Sequence, residues 1–354
     1  MGFSYLAHSQ THTDEAKAAT LQYLATHPEL DERLEDAYWV LHGLVELTPV
    51  TNENAFSGHL FPIFEAQNEL ASSATAVGLG LYKQGLAGLR AVLELGVLSV
   101  HWNVSDESHM TIQGWLRGSE KTPLEREVRE NLKKTPGVAL YLQHDPSFLD
   151  RLRDLSFELG GYVHTRGHRA SSRGLNRRAN FPLFSDSAFD RWVHLTGEVL
   201  RAVLAIHLMK YPVGLQVMPL SDKLGLNVPM GGLVEPHVRD RFRRFLEPAV
   251  RDRLQAQSDA DPEATALRDQ LNALPDLTDG EWRQQIREQD EMLIASSGFE
   301  NWVSGHEAMR HHRTPEEQVD ADIYQQEMRS WAEAHEALTL EQIFSRNQAG
   351  NNPV

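Results

Sequence analysis

The chain has no cysteine among its 354 residues, and this absence excludes several kinds of chemistry. Disulfide bonds, thiolate nucleophiles, iron–sulfur clusters and zinc fingers all need the cysteine side chain. The first eight residues also lack the basic start and the long apolar stretch of a secretory signal. The most apolar stretch, residues 71–100, contains Lys83, Arg90 and Glu94 and so lacks the uncharged run of about 18 residues that a membrane span requires. We therefore expect a cytoplasmic protein with no membrane partner.

Motifs of high catalytic specificity are also missing. The segment GHEAMRHH places three residues between Glu307 and His311, so His306 and His311 do not share a helical face as the histidines of a zinc protease do. The segment GLGLYKQG has neither the glycine spacing of a dinucleotide site nor the lysine of a phosphate loop. We therefore predict no metal ion and no cofactor, and the sequence leaves open whether the protein is an enzyme.

Hydrophobic residues make up 41% of the chain, and they recur mostly at spacings of three and four, which is typical of amphipathic helices. Alternating β-branched residues and hairpin dipeptides are rare. The sequence therefore predicts an all-α multi-helix bundle with two long irregular connections, at about 165–184 and 211–234. The predicted helices span residues 14–26, 29–48, 58–82, 85–103, 122–134, 146–162, 186–210, 235–256, 262–273, 279–296, 299–311, 315–336 and 339–346.

The formal net charge of −16 is unevenly distributed along the chain. Residues 1–60 carry −7 and residues 258–354 carry −13, whereas residues 61–257 carry +4. This pattern predicts a helical core domain over 1–257, with acidic N-terminal helices, and an acidic helical subdomain over 258–354. Two arginine clusters make the middle basic: Arg151, Arg153, Arg166, Arg169, Arg173, Arg177 and Arg178, then Arg239, Arg241, Arg243, Arg244, Arg251 and Arg253.

Two interpretations of this basic middle stay open. In the first, the middle binds phosphates or an acidic partner, because a ligand responds to the local field within about 8–10 Å rather than to the net charge. In the second, the acidic ends of the chain fold onto the basic middle and neutralise it. The two interpretations differ in whether the arginines have carboxylate partners within the same molecule.

The stretch over residues 64–102 predicts a pair of apolar helices that meet near Gly85. The second of these helices is apolar on nearly every face, which predicts that it is buried. Arg90 and Glu94 lie four residues apart in it, so they share a face and can pair there. This pair either holds a polar network around a binding site or acts as a structural ion pair that selects one packing arrangement.

The stretch LSFELGGYVHTRGHR predicts a helix that ends at Gly160 and Gly161 and leads into a charged loop. His164 in this loop has an ordinary pKa near 6.5, so it could bind a carboxylate or carry a proton. The alternative interpretation makes His164 a core histidine with satisfied hydrogen bonds. The side chains that we predict to bind a ligand here are Tyr162, His164, Arg166, His168, Arg169 and Arg173.

Three short motifs, GLRAVLE, GWLRGSEKTP and YVH, resemble a diffuse group of bacterial all-α proteins, some of which are grouped with HEPN-like helical bundles. The resemblance covers roughly residues 60–210. Ribonucleases of the HEPN class act as dimers and carry an arginine and a histidine, with four to six residues between them, near the start of a late helix. The segment RAVLAIH matches this spacing. The resemblance therefore implies Arg201 and His207 as catalytic residues, and a role in a bacterial stress or phage-defence system.

Three functional hypotheses follow. The first is a helical interaction or regulatory protein whose basic loop and acidic C-terminal helices bind a protein partner or a second copy of the chain. The second is the metal-independent ribonuclease that the resemblance implies, with RNA or another phosphate-bearing ligand at the basic loop. The third is a small-molecule protein with a pocket near Arg90, Glu94 and His164.

Overall fold

The computed structural model describes residues 7–49, 58–102, 108–228, 231–308, 310 and 313–350. Within these residues the chain forms eighteen α-helices and no strand, which confirms the prediction of an all-α multi-helix protein. Judged by length and apolar character together, none of the helices in these ranges meets the requirements of a membrane span.

The chain divides into two compact units. Unit 1 contains Met1–Pro219 and Pro229–Ala273, and unit 2 contains Leu220–Val228 and Leu274–Val354. The domain boundary that we predicted after residue 257 therefore lies inside unit 1.

Unit 1 is built from helices of very different lengths, the longest of which is α10. In chain order they are α1 (Gln10–Thr26), α2 (Pro28–Leu47), α3 (Phe61–Gly78), α4 (Tyr82–Trp102), α5 (Ser108–Leu116), α6 (Glu125–Leu132), α7 (Pro136–His144), α8 (Phe148–Val163), α9 (Ser172–Leu175), α10 (Asp186–Lys210), α12 (Pro236–Phe245), α13 (Pro248–Ala260) and α14 (Pro262–Ala273).

The centre of unit 1 is a packed set of α3, α4, α8 and α10. A buried chain of hydrogen bonds connects three of these helices. The Nε1 atom of Trp192 on α10 donates to Ser73 Oγ on α3 at 2.8 Å, and Ser73 Oγ donates to the carbonyl oxygen of Gly85 on α4 at 2.7 Å. Because buried polar groups are costly when they lack partners, this chain favours one arrangement of the three helices.

Unit 2 contains α11 (Leu220–Leu224), α15 (Asp279–Ser297), α16 (Phe299–Ala308), α17 (Pro315–Ala334) and α18 (Leu340–Gly350). Asp290 is buried in this unit and accepts hydrogen bonds from Trp302 Nε1 and from the Tyr324 hydroxyl, each at 2.8 Å. Burial and the bond to Asp290 raise the pKa of the Tyr324 phenol. One buried carboxylate therefore connects helices α15, α16 and α17.

The predicted helix limits agree closely with the structure at α10 and α14, which begin and end where the pattern placed them. The predicted helix over 235–256 is instead two helices, because the chain extends at Leu246 and Glu247 ahead of Pro248. Helices α5 and α7 had no counterpart among the predicted helices.

Both predicted irregular connections contain short helical turns. The first holds a 3-10 helix over His168–Ala170 followed by α9. The second holds a 3-10 helix over Pro212–Leu215 followed by α11. Residues 229 and 230 of the second connection lie outside the described residues.

Candidate functional site

The two arginine clusters differ in how they are paired. In the second cluster, carboxylates or a side-chain amide of unit 1 lie beside each arginine. Arg241 and Arg244 each lie 3.6 Å from Asp36 of α2, so part of the acidic N-terminal region does neutralise the basic middle. The other contacts are Arg239 with Asp240, Arg251 with Asp252, Arg253 with Asp145, and Arg243 with the Gln255 amide oxygen.

In the first cluster, three of the seven arginines have ion pairs. Arg151, Arg153 and Arg177 form ion pairs with Asp145, with Asp150 and Asp154, and with Asp186. The other four arginines form no ion pair within the described part of the chain. They are Arg166, Arg169, Arg173 and Arg178, all exposed, and they lie in a segment that we call the arginine loop, residues 164–181. This segment has no aspartate or glutamate of its own.

Backbone hydrogen bonds hold the arginine loop in one shape. The Arg166 amide donates to the Gly161 carbonyl oxygen at 2.8 Å, and the Arg178 amide donates to the Arg173 carbonyl oxygen at 2.7 Å. Thr165 and Arg178 have φ angles of 50° and 73°, in the left-handed region that few L-residues adopt. Such conformations persist where the surrounding structure enforces them, and they concentrate at functional sites.

Ser171 fixes the middle of the loop. Its hydroxyl donates to the His168 carbonyl oxygen at 2.7 Å and accepts from the Gly174 amide at 3.1 Å. At the far end, the Asn176 Nδ2 atom donates to the Phe181 carbonyl oxygen at 3.2 Å. The arginines are therefore attached to an ordered backbone, although the loop contains few residues in regular secondary structure.

Two exposed aromatic rings flank the loop. The Arg166 guanidinium lies over the ring of Phe157, 4.0 Å from its centroid, and Phe157 is 65% exposed. On the other side His12 stacks on Phe181 at 4.2 Å between ring centroids, and Phe181 is 44% exposed. We did not predict these rings from the sequence. Phe157 could have been identified as an aromatic residue adjacent to the charged positions of an amphipathic helix.

The predicted binding residues of this region have different environments. His164, Arg166, His168, Arg169 and Arg173 are exposed, which makes the core interpretation of His164 wrong. Tyr162 is instead half-buried against the main core. The loop therefore brings five of the six predicted side chains to one exposed segment, and Tyr162 lies behind it.

Arg90 and Glu94 form the predicted pair, with 2.7 Å between Arg90 Nε and Glu94 Oε1. The prediction that the pair is buried is wrong, because the two side chains are 30% and 48% exposed. They line an apolar cavity between α4, α6 and α8. Arg90 packs against Gly160 of α8, where an added Cβ would be 2.7 Å from Nη1. His164 does not line this cavity.

Arg201 and His207 lie in unlike surroundings on α10. Arg201 lines a polar cleft of about 720 Å³ and lies 2.6 Å from Glu198 and 3.7 Å from Glu247. His207 is 0% exposed, and its Nδ1 atom lies 2.8 Å from the Val203 carbonyl oxygen. Burial lowers the pKa of His207 to about 4. The structure therefore does not bring the two residues of the RAVLAIH motif to a shared opening.

No group of three or more histidine, aspartate and glutamate side chains suited to a metal ion occurs in the ranges that the structure describes. His311 and His312 of the GHEAMRHH segment lie outside those ranges. Comparisons of the chain with protein-family models, with curated proteins and with solved structures give no match.

Proposed function

We propose that the protein binds single-stranded RNA through the arginine loop. The observation that supports this most directly is the set of four exposed arginines without an ion pair in the described part of the chain. In the second cluster every arginine lies beside a carboxylate or amide oxygen, whereas these four have no such carboxylate in the described part of the chain. Arginines left unpaired on an ordered loop are therefore available to an external anion.

Phosphate is the anion that best fits this charge. A guanidinium offers several N–H donors in a planar fork that matches phosphate oxygens, and it stays protonated at any physiological pH. Like charges concentrated within one loop repel one another, so the loop binds counterions in the free protein. Release of those counterions favours the binding of a nucleic-acid backbone.

The exposed rings favour a single strand over a duplex. Unpaired bases stack on aromatic side chains and on guanidinium planes, whereas the bases of a duplex are already stacked on each other. Phe157 with Arg166 on one side, and Phe181 with His12 on the other, provide two such surfaces. Protein ligands are the competing class, because Arg and aromatic residues are also common in protein interfaces.

The net charge of −16 does not oppose this assignment at short range. Charges more than about 8 Å apart are largely screened at physiological ionic strength, so a strand in contact with the loop experiences mainly the loop's own arginines. The acidic residues of the rest of the chain slow long-range association and make binding more dependent on local contacts.

The ribonuclease that the HEPN resemblance implies has less support from the geometry. A general base must come within hydrogen-bond reach of the proton that it removes. The ring of His207 is 0% exposed and Arg201 already has two carboxylate neighbours. The proposal is therefore RNA binding at the loop and does not use the RAVLAIH pair.

Replacing Arg166, Arg169 and Arg173 together with alanine is expected to weaken RNA binding about 20-fold, since each exposed charge contact contributes about 0.5–1 kcal/mol. The measurement is fluorescence anisotropy with a labelled oligouridylate of about 12 nucleotides in about 0.1 M KCl. Each phosphate contact contributes about 0.7 to the slope of log K against log salt, so the slope should fall by about 2 in the triple variant.

The matched control removes the same charge from arginines that already have partners. Arg153, Arg251 and Arg268 each pair with the adjacent aspartate, and their triple alanine variant should change affinity less than threefold. Equal losses in the two triple variants would show that only bulk charge matters. Displacement of the RNA by a polyglutamate peptide of the same charge would identify an acidic protein as the ligand instead.

A second variant tests the shape of the loop while it keeps every arginine. A Cβ added at Gly174 would lie 1.9 Å from the His168 carbonyl oxygen, so Gly174→Ala must displace the turn that Ser171 holds. We expect about fivefold weaker binding of the same oligouridylate, because the arginines lose their fixed spacing. Gly161→Ala is the control, since an added Cβ there has no neighbour within 4 Å. Unchanged affinity in Gly174→Ala would show that the ordered loop is not required.

A further inference from the structure

The cavity beside Arg90 and Glu94 has the size and walls of a small-molecule site. Its volume is about 310 Å³, within the usual range for ligand pockets. It lies between α4, α6 and α8 in unit 1, and no residue of the arginine loop lines it. Its apolar walls are formed by Leu93, Val97, Leu98, Leu124, Val128 and Leu152.

One polar side chain within these walls has no hydrogen-bond partner in the described residues. Ser156 of α8 lines the cavity and is 8% exposed. A serine in a helix commonly satisfies its hydroxyl by donating to the carbonyl oxygen four residues earlier, as Thr196 does to Trp192 at 2.9 Å. Ser156 makes no such bond within the described part of the chain. The hydroxyl of Ser156 therefore keeps its hydrogen-bonding capacity unused among the described residues, and a ligand atom in the cavity can pair with it.

The charged groups that line the cavity balance one another. Arg90 pairs with Glu94 at 2.7 Å, and Arg129 pairs with Glu125 at 3.3 Å. A ligand with a net charge would attract one member of each pair and repel the other, and it would have to displace an existing partner. The cavity therefore favours an uncharged ligand, in contrast with the arginine loop, where charge is unbalanced.

From these observations we infer that the cavity binds an uncharged small molecule with an apolar, ring-sized body and one hydrogen-bonding group that pairs with Ser156 Oγ. The apolar walls exclude water from the body of such a molecule, and this supplies most of the affinity. The single hydroxyl selects for a ligand that carries a matching donor or acceptor. No residue of the arginine loop lines this cavity, and the inference does not depend on the RNA proposal.

Equilibrium dialysis with two probes, 1-naphthol and naphthalene, tests this inference. The probes share an apolar body, and only 1-naphthol carries a hydroxyl. We expect one molecule of each probe to bind per chain. Ser156→Ala keeps the shape of the cavity and removes the hydroxyl, so it should weaken 1-naphthol about fivefold and change naphthalene less than twofold.

A filling variant gives a second measurement. Val128→Phe places a ring into the cavity and should weaken both probes about tenfold or more. Ala74→Phe adds bulk at a different apolar pocket of unit 1, lined by α2, α3 and α10, and should leave both affinities unchanged. The inference is overturned if Ser156→Ala affects the two probes equally or not at all, or if a folded Val128→Phe variant binds them as the unmodified chain does. RNA affinity measured on the same variants is expected to stay constant, so a failure here is distinct from a failure of the RNA proposal.

Discussion

Replacing Gly137 with alanine is expected to lower the free energy of unfolding of unit 1 by about 3 kcal/mol. Gly137 is the second residue of α7, and an added Cβ would lie 1.8 Å from the carbonyl oxygen of Met209 near the end of α10. A backbone oxygen cannot rotate away as a flexible side chain can, so α7 would have to move off α10. That movement would disturb Val138 and Tyr141, which are buried in the main core.

Hydrogen exchange of the amides in α10 measures this effect within unit 1 alone. A loss of about 3 kcal/mol corresponds to exchange more than a hundredfold faster where exchange follows global unfolding. Gly78→Ala is the matched control, because an added Cβ at the end of α3 has no neighbour within 4 Å and alanine favours the helix. The Gly78→Ala substitution should leave the exchange rate of these amides unchanged or lower it. A similar result for the two variants would contradict the contact between α7 and Met209.

The same residue explains why α7 was not predicted from the sequence. A Pro-Gly pair is typical of a turn, and the pattern at Pro136 and Gly137 indicates a connection rather than a helix. In the structure Pro136 occupies the first turn of α7, where its missing N–H costs no hydrogen bond. Gly137 is needed for the close approach to α10. Both residues therefore suit a helix at this place because of tertiary packing, which local helix propensity does not reflect.

Most other helices could be predicted because their signals are local. Apolar spacing and start signals lie within a few residues of each other, as at Thr314, whose hydroxyl accepts from the Glu317 amide at 3.3 Å where α17 begins. The pairing of the arginines has no such local signal. Asp36 approaches Arg241 and Arg244 from a helix about two hundred positions earlier in the chain. The composition could therefore identify a basic middle, but not which of its arginines remain available to a ligand.

Helical periodicity likewise specifies which residues share a face but not what covers that face. Arg90 and Glu94 were correctly predicted to pair, because a spacing of four residues determines this within one helix. Their exposure depends on α6 and α8, which leave a cavity beside them. Arg201 and His207 show the converse case. Six positions turn a helix by about 600°, which leaves the two side chains about 120° apart, and the surrounding helices cover only one of them.

Acidification is expected to destabilise unit 1 through the buried ring of His207. Burial lowers the pKa of this histidine from 6.5 to about 4. In the unfolded chain the ring regains its ordinary pKa near 6.5, so between about pH 6.5 and pH 4 the unfolded state binds more protons than the folded state. The free energy of unfolding therefore falls as the pH decreases through this window. A difference of about 2.5 pKa units corresponds to about 3 kcal/mol.

The variant His207→Leu separates this effect from every other titration. Leucine fits an apolar site of similar size, and it cannot be protonated. Urea unfolding followed by circular dichroism should place the two proteins within about 1 kcal/mol of each other at pH 7.5, and the variant should be more stable by about 2 kcal/mol at pH 4.5. Acid-labile pairs such as Asp145 with Arg151 occur in both proteins, so their contribution cancels in the difference.

Equal pH dependence of the two proteins would contradict the burial of the ring. RNA affinity at pH 7.5 should be unchanged by His207→Leu, because the ring does not reach the surface on which the arginine loop lies. Loss of an RNA-cleaving activity in a variant that keeps its stability at that pH would instead restore the catalytic assignment of His207. The buried histidine is thus expected to affect the pH at which unit 1 unfolds, and the exposed arginines are expected to affect which ligand unit 1 binds.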